Sequence, residues 1–257
     1  LSGGLEDEEI GITPIDIEFP DFLQFQDFNI EDRLSTLCDI VLEASATNNY
    51  RLLGKAAALF NNDEMMDVVN RHPEVLEQKD TITVFIEALD IIDYSDINPQ
   101  ILAREIIEAI WKLSYFVPKS TEIMVSCDIV PVFIGIIPKI PESFNEAAFS
   151  ILKNVFVTSF GDSMFSYLGS IIPLLEYHLF STENPIISQD CTKILASMVC
   201  CRSIDFSVLS SIVDIFEKII ENEIASCVED ATIGLWNIVE WRDDFIPGSA
   251  LASVINR

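Results

Sequence analysis

Four apolar stretches recur along the 257-residue chain at similar distances, and they limit what it can fold into. TVFIEALDI from Thr83 is answered by PVFIGIIPK from Pro131, by PLLEYHLFS from Pro173 and, more weakly, by SIVDIFEKI from Ser211. The starts lie 48, 42 and 38 residues apart. After a break such as DYSDINPQ or STENPIIS, each is followed by a longer amphipathic run: ILAREIIEAIWKLSYF, FNEAAFSILKNVFVTS, SQDCTKILASMVCC and CVEDATIGLWNIVEW. Apolar residues in these runs fall three and four apart, the period of a helix, and strand-like alternation is scarce. Each repeat is therefore a helix pair, and the leaders TEIMVSCD and GDSMFSYL suggest an extra short helix in two of them. A pair this small cannot bury its apolar faces alone, whereas pairs stacked side by side share a continuous core. The expected fold is an all-α chain wound as an α-solenoid.

At 49% hydrophobic residues the chain can bury a substantial core. Its 42 acids against 15 bases, a formal charge of -27, repel nucleic acid and anionic membranes and favour basic partners. Residues 1–30 stand apart as an acidic arm without a base, carrying Phe19, Phe22, Phe25 and Phe28, with Pro14 and Pro20 breaking any continuous helix. It reads as an arm that docks on its own domain or on another protein. Six cysteines without regular spacing point to a reducing compartment rather than a disulfide framework. With His72 and His178 remote from the adjacent Cys200 and Cys201, no metal site or other cofactor is expected. IVPVFIGII, residues 129–137, is half the length needed to span a bilayer. A start at LSGG rather than Met leaves open that residues precede it. There is no phosphate-binding glycine loop and no Ser-His-Asp or Cys-His motif, so an enzyme is not expected.

The pattern of short leader, middle helix opening near proline and long third helix resembles the armadillo repeat. That family has glycine before the Ile-Pro; Asp128 stands there in CDIVP, and Gly169 fits it in LGSIIP. The resemblance implies a right-handed solenoid over 31–242, about four repeats after a degenerate opening one, with 243–257 starting a further, truncated repeat. The recurring apolar slots of the middle helices, Val84, Phe85, Val132, Phe133, Ile134, Leu174 and Leu175, are expected in the core. So are Leu113, Leu152, Leu195 and Ile238 of the third helices.

Aligned on their apolar phase, the third helices place Trp111, Ser150, Lys193 and Trp236 in one column, at intervals of 39, 43 and 43 residues. Four residues on, on the same face, stand Tyr115, Asn154, Ser197 and Glu240. The columns resemble those of importin-alpha, the armadillo adaptor of nuclear import, whose third helices carry Trp with Asn four residues later. There the indoles hold the stems of Lys and Arg from a nuclear localisation signal and the Asn side chains hold its backbone. The resemblance implies such roles for Trp111, Trp236 and Asn154, a basic segment of a protein cargo as partner together with a transport receptor, and a cytoplasmic and nuclear location. Tyr115 and Glu240 replace Asn after the two tryptophans, Ser150 replaces Trp before Asn154, and the family's basic opening segment is absent, divergent or outside this sequence, which opens on an acidic arm instead.

Four repeats with helix axes ~8 to 10 Å apart give a groove on the order of 35 Å, the length of about ten residues of extended peptide. Glu108, Glu146, Asp190, Glu229 and Glu240 are expected to face it, about one acid per repeat. Two roles for the tryptophans stay open, groove display and core packing. Two functions stay open as well: an importin-alpha-like adaptor for basic linear motifs, and a general armadillo scaffold for a partner unrelated to nuclear import.

Overall fold

A computed structural model describes residues 30–241, apart from 95, 96, 118 and 202. Most of the expected acidic arm and residues 243–257 lie outside the described residues. Among those described, the chain is helical throughout and contains no strand.

The helices are α1 (Ile30–Ala46), α2 (Tyr50–Phe60), α3 (Asp63–Arg71), α4 (Pro73–Gln78), α5 (Thr81–Ile91), α6 (Ile97–Phe116), α7 (Ser120–Ser126), α8 (Ile129–Ile136), α9 (Asn145–Ser159), α10 (Leu168–Ser181), α11 (Pro185–Val199), α12 (Phe206–Glu221) and α13 (Val228–Trp241). Short 3-10 turns at Glu142–Phe144 and Asp162–Tyr167 lead into α9 and α10. Local chemistry sets several boundaries. The Asn49, Asn62 and Asn184 side chains accept from the first free backbone N–H groups of α2, α3 and α11, the usual work of an N-cap. Pro73 and Pro185 occupy first-turn positions, where a missing N–H costs nothing.

The helices stack in two rows. The long helices pack α2 on α6, α6 on α9, α9 on α11 and α11 on α13, while α1, α5, α8, α10 and α12 form the second row in the same order. Side-chain bonds between neighbours in the first row advance together along both helices. Glu146 meets Asn184 where Ser150 meets Asp190, so α9 and α11 run parallel with their C-termini on one edge.

The third-helix slots Leu113, Leu152, Leu195 and Ile238 are all fully buried. In the middle helices Val84, Phe85, Phe133 and Leu175 are buried, but Val132, Ile134 and Leu174 are half-buried, packed against the core from its margin. The reason is compositional: α8 reads IVPVFIGI, apolar at almost every position, so its sequence carries little phase.

The glycine position ahead of the Ile-Pro also needs correction. Asp128, with φ 55°, has the left-handed backbone that glycine adopts at least cost, and Asp80, 48 residues earlier and just ahead of α5, has φ 48°. Gly169 instead lies inside α10 without positive φ. Its role differs because α10 is entered through a 3-10 turn. A Cβ at Gly169 or Gly135 would meet nothing within 4 Å, while one at Gly234 would lie 2.5 Å from the ring of buried Phe216. Gly169→Ala is expected to raise stability by up to about 1 kcal/mol through helix propensity. Gly234→Ala is expected to lower it by about 1 to 3 kcal/mol through overpacking of α13 on α12. Urea unfolding of the two variants measures both, and equal shifts would refute the packing.

Candidate polypeptide-binding face

The surface of the long-helix row follows from how each helix turns its polar stripe. Side chains four, seven and eleven residues apart share one helical face. In α6 that stripe is Arg104, Glu108, Trp111 and Tyr115; in α9 it is Glu146, Ser150, Lys153 and Val157; in α13 it is Glu229, Ile233, Trp236 and Glu240. With Ile186, Asp190, Lys193 and Ser197 in α11, the Trp column reads Trp111, Lys153, Lys193 and Trp236.

The expected column therefore slips by three residues in α9. Ser150 is only 7% exposed, because its hydroxyl donates to Asp190 on the neighbouring helix. Lys153 holds the surface place and reaches the other oxygen of Asp190 at 3.3 Å. Asp190, expected at the groove surface, is thus buried between α9 and α11, holding two partners at once. Asn154, expected to hold a ligand backbone, is half-buried and donates its amide to Ser114 Oγ on α6 at 2.9 Å. Asn237 makes a similar reach from α13 to Cys200 Sγ, just past the C-terminus of α11, at 3.6 Å. Lys112, one residue past Trp111 as Asn154 is past Lys153, reaches back to the carbonyl of Asn61 and to Asp63. This place in the repeat joins helices. Lys112 and Lys153 escaped the sequence reading because their partners lie 37 to 51 residues away.

The acids divide into paired and open ones. Glu108 is held by Arg104 at 2.8 Å and Glu146 accepts from Asn184 at 3.0 Å. Glu229 and Glu240 are exposed on α13. Burial raises the Glu105 carboxyl above the usual range, and neighbouring Glu108 adds to this while the Asn61 amide opposes it. Burial also raises Asp230, with Lys193 pulling the other way and Glu229 reinforcing the rise. Ser197 is half-buried, its hydroxyl turned back to the Ile194 carbonyl.

Both tryptophans of the column are exposed, for different reasons. Trp111 is 39% exposed and Tyr115 70%, although α6 is flanked by α2 on one side and α9 on the other. Phe116 packs edge-on to Tyr115 at 5.0 Å, and Val157 of α9 is exposed as well. This apolar patch lies within the row, where no further long helix can cover it. Trp236 is 68% exposed, and Ile233, counterpart of buried Ser150 and Asp190, is 49% exposed. Both belong to α13, the last described member of the row, whose described long-helix neighbour is α11 alone.

Among the described residues, no three His, Cys, Asp or Glu side chains gather as metal ligands, and no helix is long and apolar enough to cross a membrane.

No protein-family model and no curated protein sequence matches the chain. Among solved structures it is similar to the crystal structure of an engineered protein, with a TM-score of 0.62 at 14% identity over 89% of this chain and 51% of that one. The chain thus spans about half the length of that protein. It is also similar to the crystal structure of a second engineered protein, with a TM-score of 0.53 at 12% identity over 86% of this chain and 98% of that one. At such identities the likeness concerns the fold alone.

Proposed function

We propose that the chain is an armadillo-type, right-handed α-solenoid that binds a protein partner along its long-helix row, an adaptor similar to importin-alpha in taking a basic linear segment. The observation that carries this reading is the exposed pair Trp111 and Tyr115 within the row, flanked by helices on both sides. An indole kept half in water at that place is a surface for a flat or cationic side chain, and each cation on an indole contributes roughly 0.5 to 2 kcal/mol. The formal charge of -27 favours a basic partner over any other. The partner's cations fit best toward the two ends of the column, with Glu108 beside Trp111 and Glu229 and Glu240 beside Trp236. A cytoplasmic and nuclear location belongs to the same reading.

A second reading, a scaffold for a partner unrelated to nuclear import, is favoured by Lys153 and Lys193 in the middle of the column, where a strictly basic segment would meet two cations.

Labelled Lys- and Arg-rich and Glu-rich peptides of equal length, titrated at low and high salt, separate the two. The adaptor reading expects the basic peptide alone to bind, with affinity falling as salt rises. Trp111→Ala should weaken it by about 2- to 30-fold, the cation–indole contribution expressed as affinity. Binding indifferent to both salt and Trp111→Ala would remove the adaptor reading and leave the scaffold.

A further inference from the structure

Away from the long-helix face, two hollows of about 660 and 300 Å³ open side by side at the first joint between repeats. They share the wall made by Tyr50, at the start of α2, and Ile91, at the end of α5. Both side chains are exposed, Ile91 at 62%, and Ile92, Pro99 and Leu102 continue the apolar lining. The larger hollow is of the size that takes several side chains of a ligand or peptide.

Charge selects the occupant. Glu87, Asp90 and Asp93 line the hollows with Arg51 as the one base among their described lining residues. The arm of residues 1–30 carries acids and no base, and a second copy brings another charge of -27. Both are repelled from an acidic rim. We infer that the Tyr50–Ile91 groove is a second docking surface, which takes an apolar side chain flanked by Lys or Arg from a basic partner protein. The apolar anchor enters against Ile91 and Leu102, and the flanking cations meet Glu87 and Asp90 at the rim. This inference does not rest on the proposed role of Trp111.

A fluorescein-labelled amphipathic Leu/Lys peptide, with a Leu/Glu peptide of the same pattern as comparison, tests it by anisotropy on the full chain. The Leu/Lys peptide should bind and the Leu/Glu peptide should not. Ile91→Asp removes the apolar wall but adds negative charge, so the groove and general attraction to an acidic protein predict opposite signs. The groove expects a loss of about tenfold, as when an anchor leaves its pocket; general attraction expects equal or tighter binding, which overturns the inference. Ile91→Ser, which leaves charge unchanged, should lose binding likewise, and circular dichroism checks that both variants fold. Measured on a Trp111→Ala background, Ile91→Asp and Ile91→Ser should still lower Leu/Lys affinity by about tenfold, so failure here and failure of the long-helix reading are told apart. Removing residues 1–29 should leave affinity unchanged; a large gain would mean that the arm occupies the groove and would also overturn the inference.

Discussion

Leu152→Ala is expected to destabilise the chain by about 2 to 5 kcal/mol, the range for emptying a fully buried leucine site. Leu152 is fully buried in α9, and α9 packs against α6 on one side and α11 on the other. Neither neighbour is free to close the gap, because each is tied to α9 by a polar bond, Asn154 to Ser114 and Ser150 to Asp190. That places the cost toward the upper part of the range. Trp236→Ala, by contrast, removes a larger side chain but one mostly in water, and should cost about 0.5 kcal/mol or less, as surface substitutions do. Denaturant midpoints of the two variants give the comparison directly. If the tryptophan proved costlier than the leucine, the phase assigned to the long helices would be wrong.

Asp190→Ala should cost about 3 kcal/mol, at the low end of what stripping one partner from a buried ion pair costs. The carboxylate is nearly fully buried and satisfies both the Ser150 hydroxyl and the Lys153 ammonium. Its removal strands a buried hydroxyl beside a cation. The value sits at the low end because Lys153 keeps a quarter of its side chain exposed and can turn to water. Asp190→Asn keeps an acceptor for Ser150 and loses the charge, so its cost should fall between wild type and Ala. Chemical denaturation of the pair checks the order; an Asn variant as damaged as Ala would mean that the charge, not the hydrogen bond, holds α9 to α11.

The all-helical class was legible in the sequence because the long helices are amphipathic enough to carry their own phase. Leu113, Leu152, Leu195 and Ile238 could be placed in the core from spacing alone. In the middle helices the same method faltered at Val132, Ile134 and Leu174, where nearly every neighbour is apolar and spacing says little about which side is inside. The exposed stripe of the long-helix row was legible at Trp111 and Trp236 and illegible between them. Ser150 and Lys153 lie three residues apart, on nearly the same side of α9, and only Asp190, 40 residues further along, decides which one is buried. The Tyr50–Ile91 groove left no sequence signal, since it is made where two turns meet.

The packing order of the long helices has a mechanical consequence. Among the described residues each long helix packs chiefly on its neighbours in the row and on the nearby second-row helix, so the row is a chain of joints without a strut from end to end. Compliance in such a chain adds in series. A small rotation at each joint sums to a large change of curvature, while the polar bond across it, Asn154 to Ser114 or Asn237 to Cys200, acts as its spring. Such a row changes shape by bending spread over all its joints rather than by a hinge at one of them.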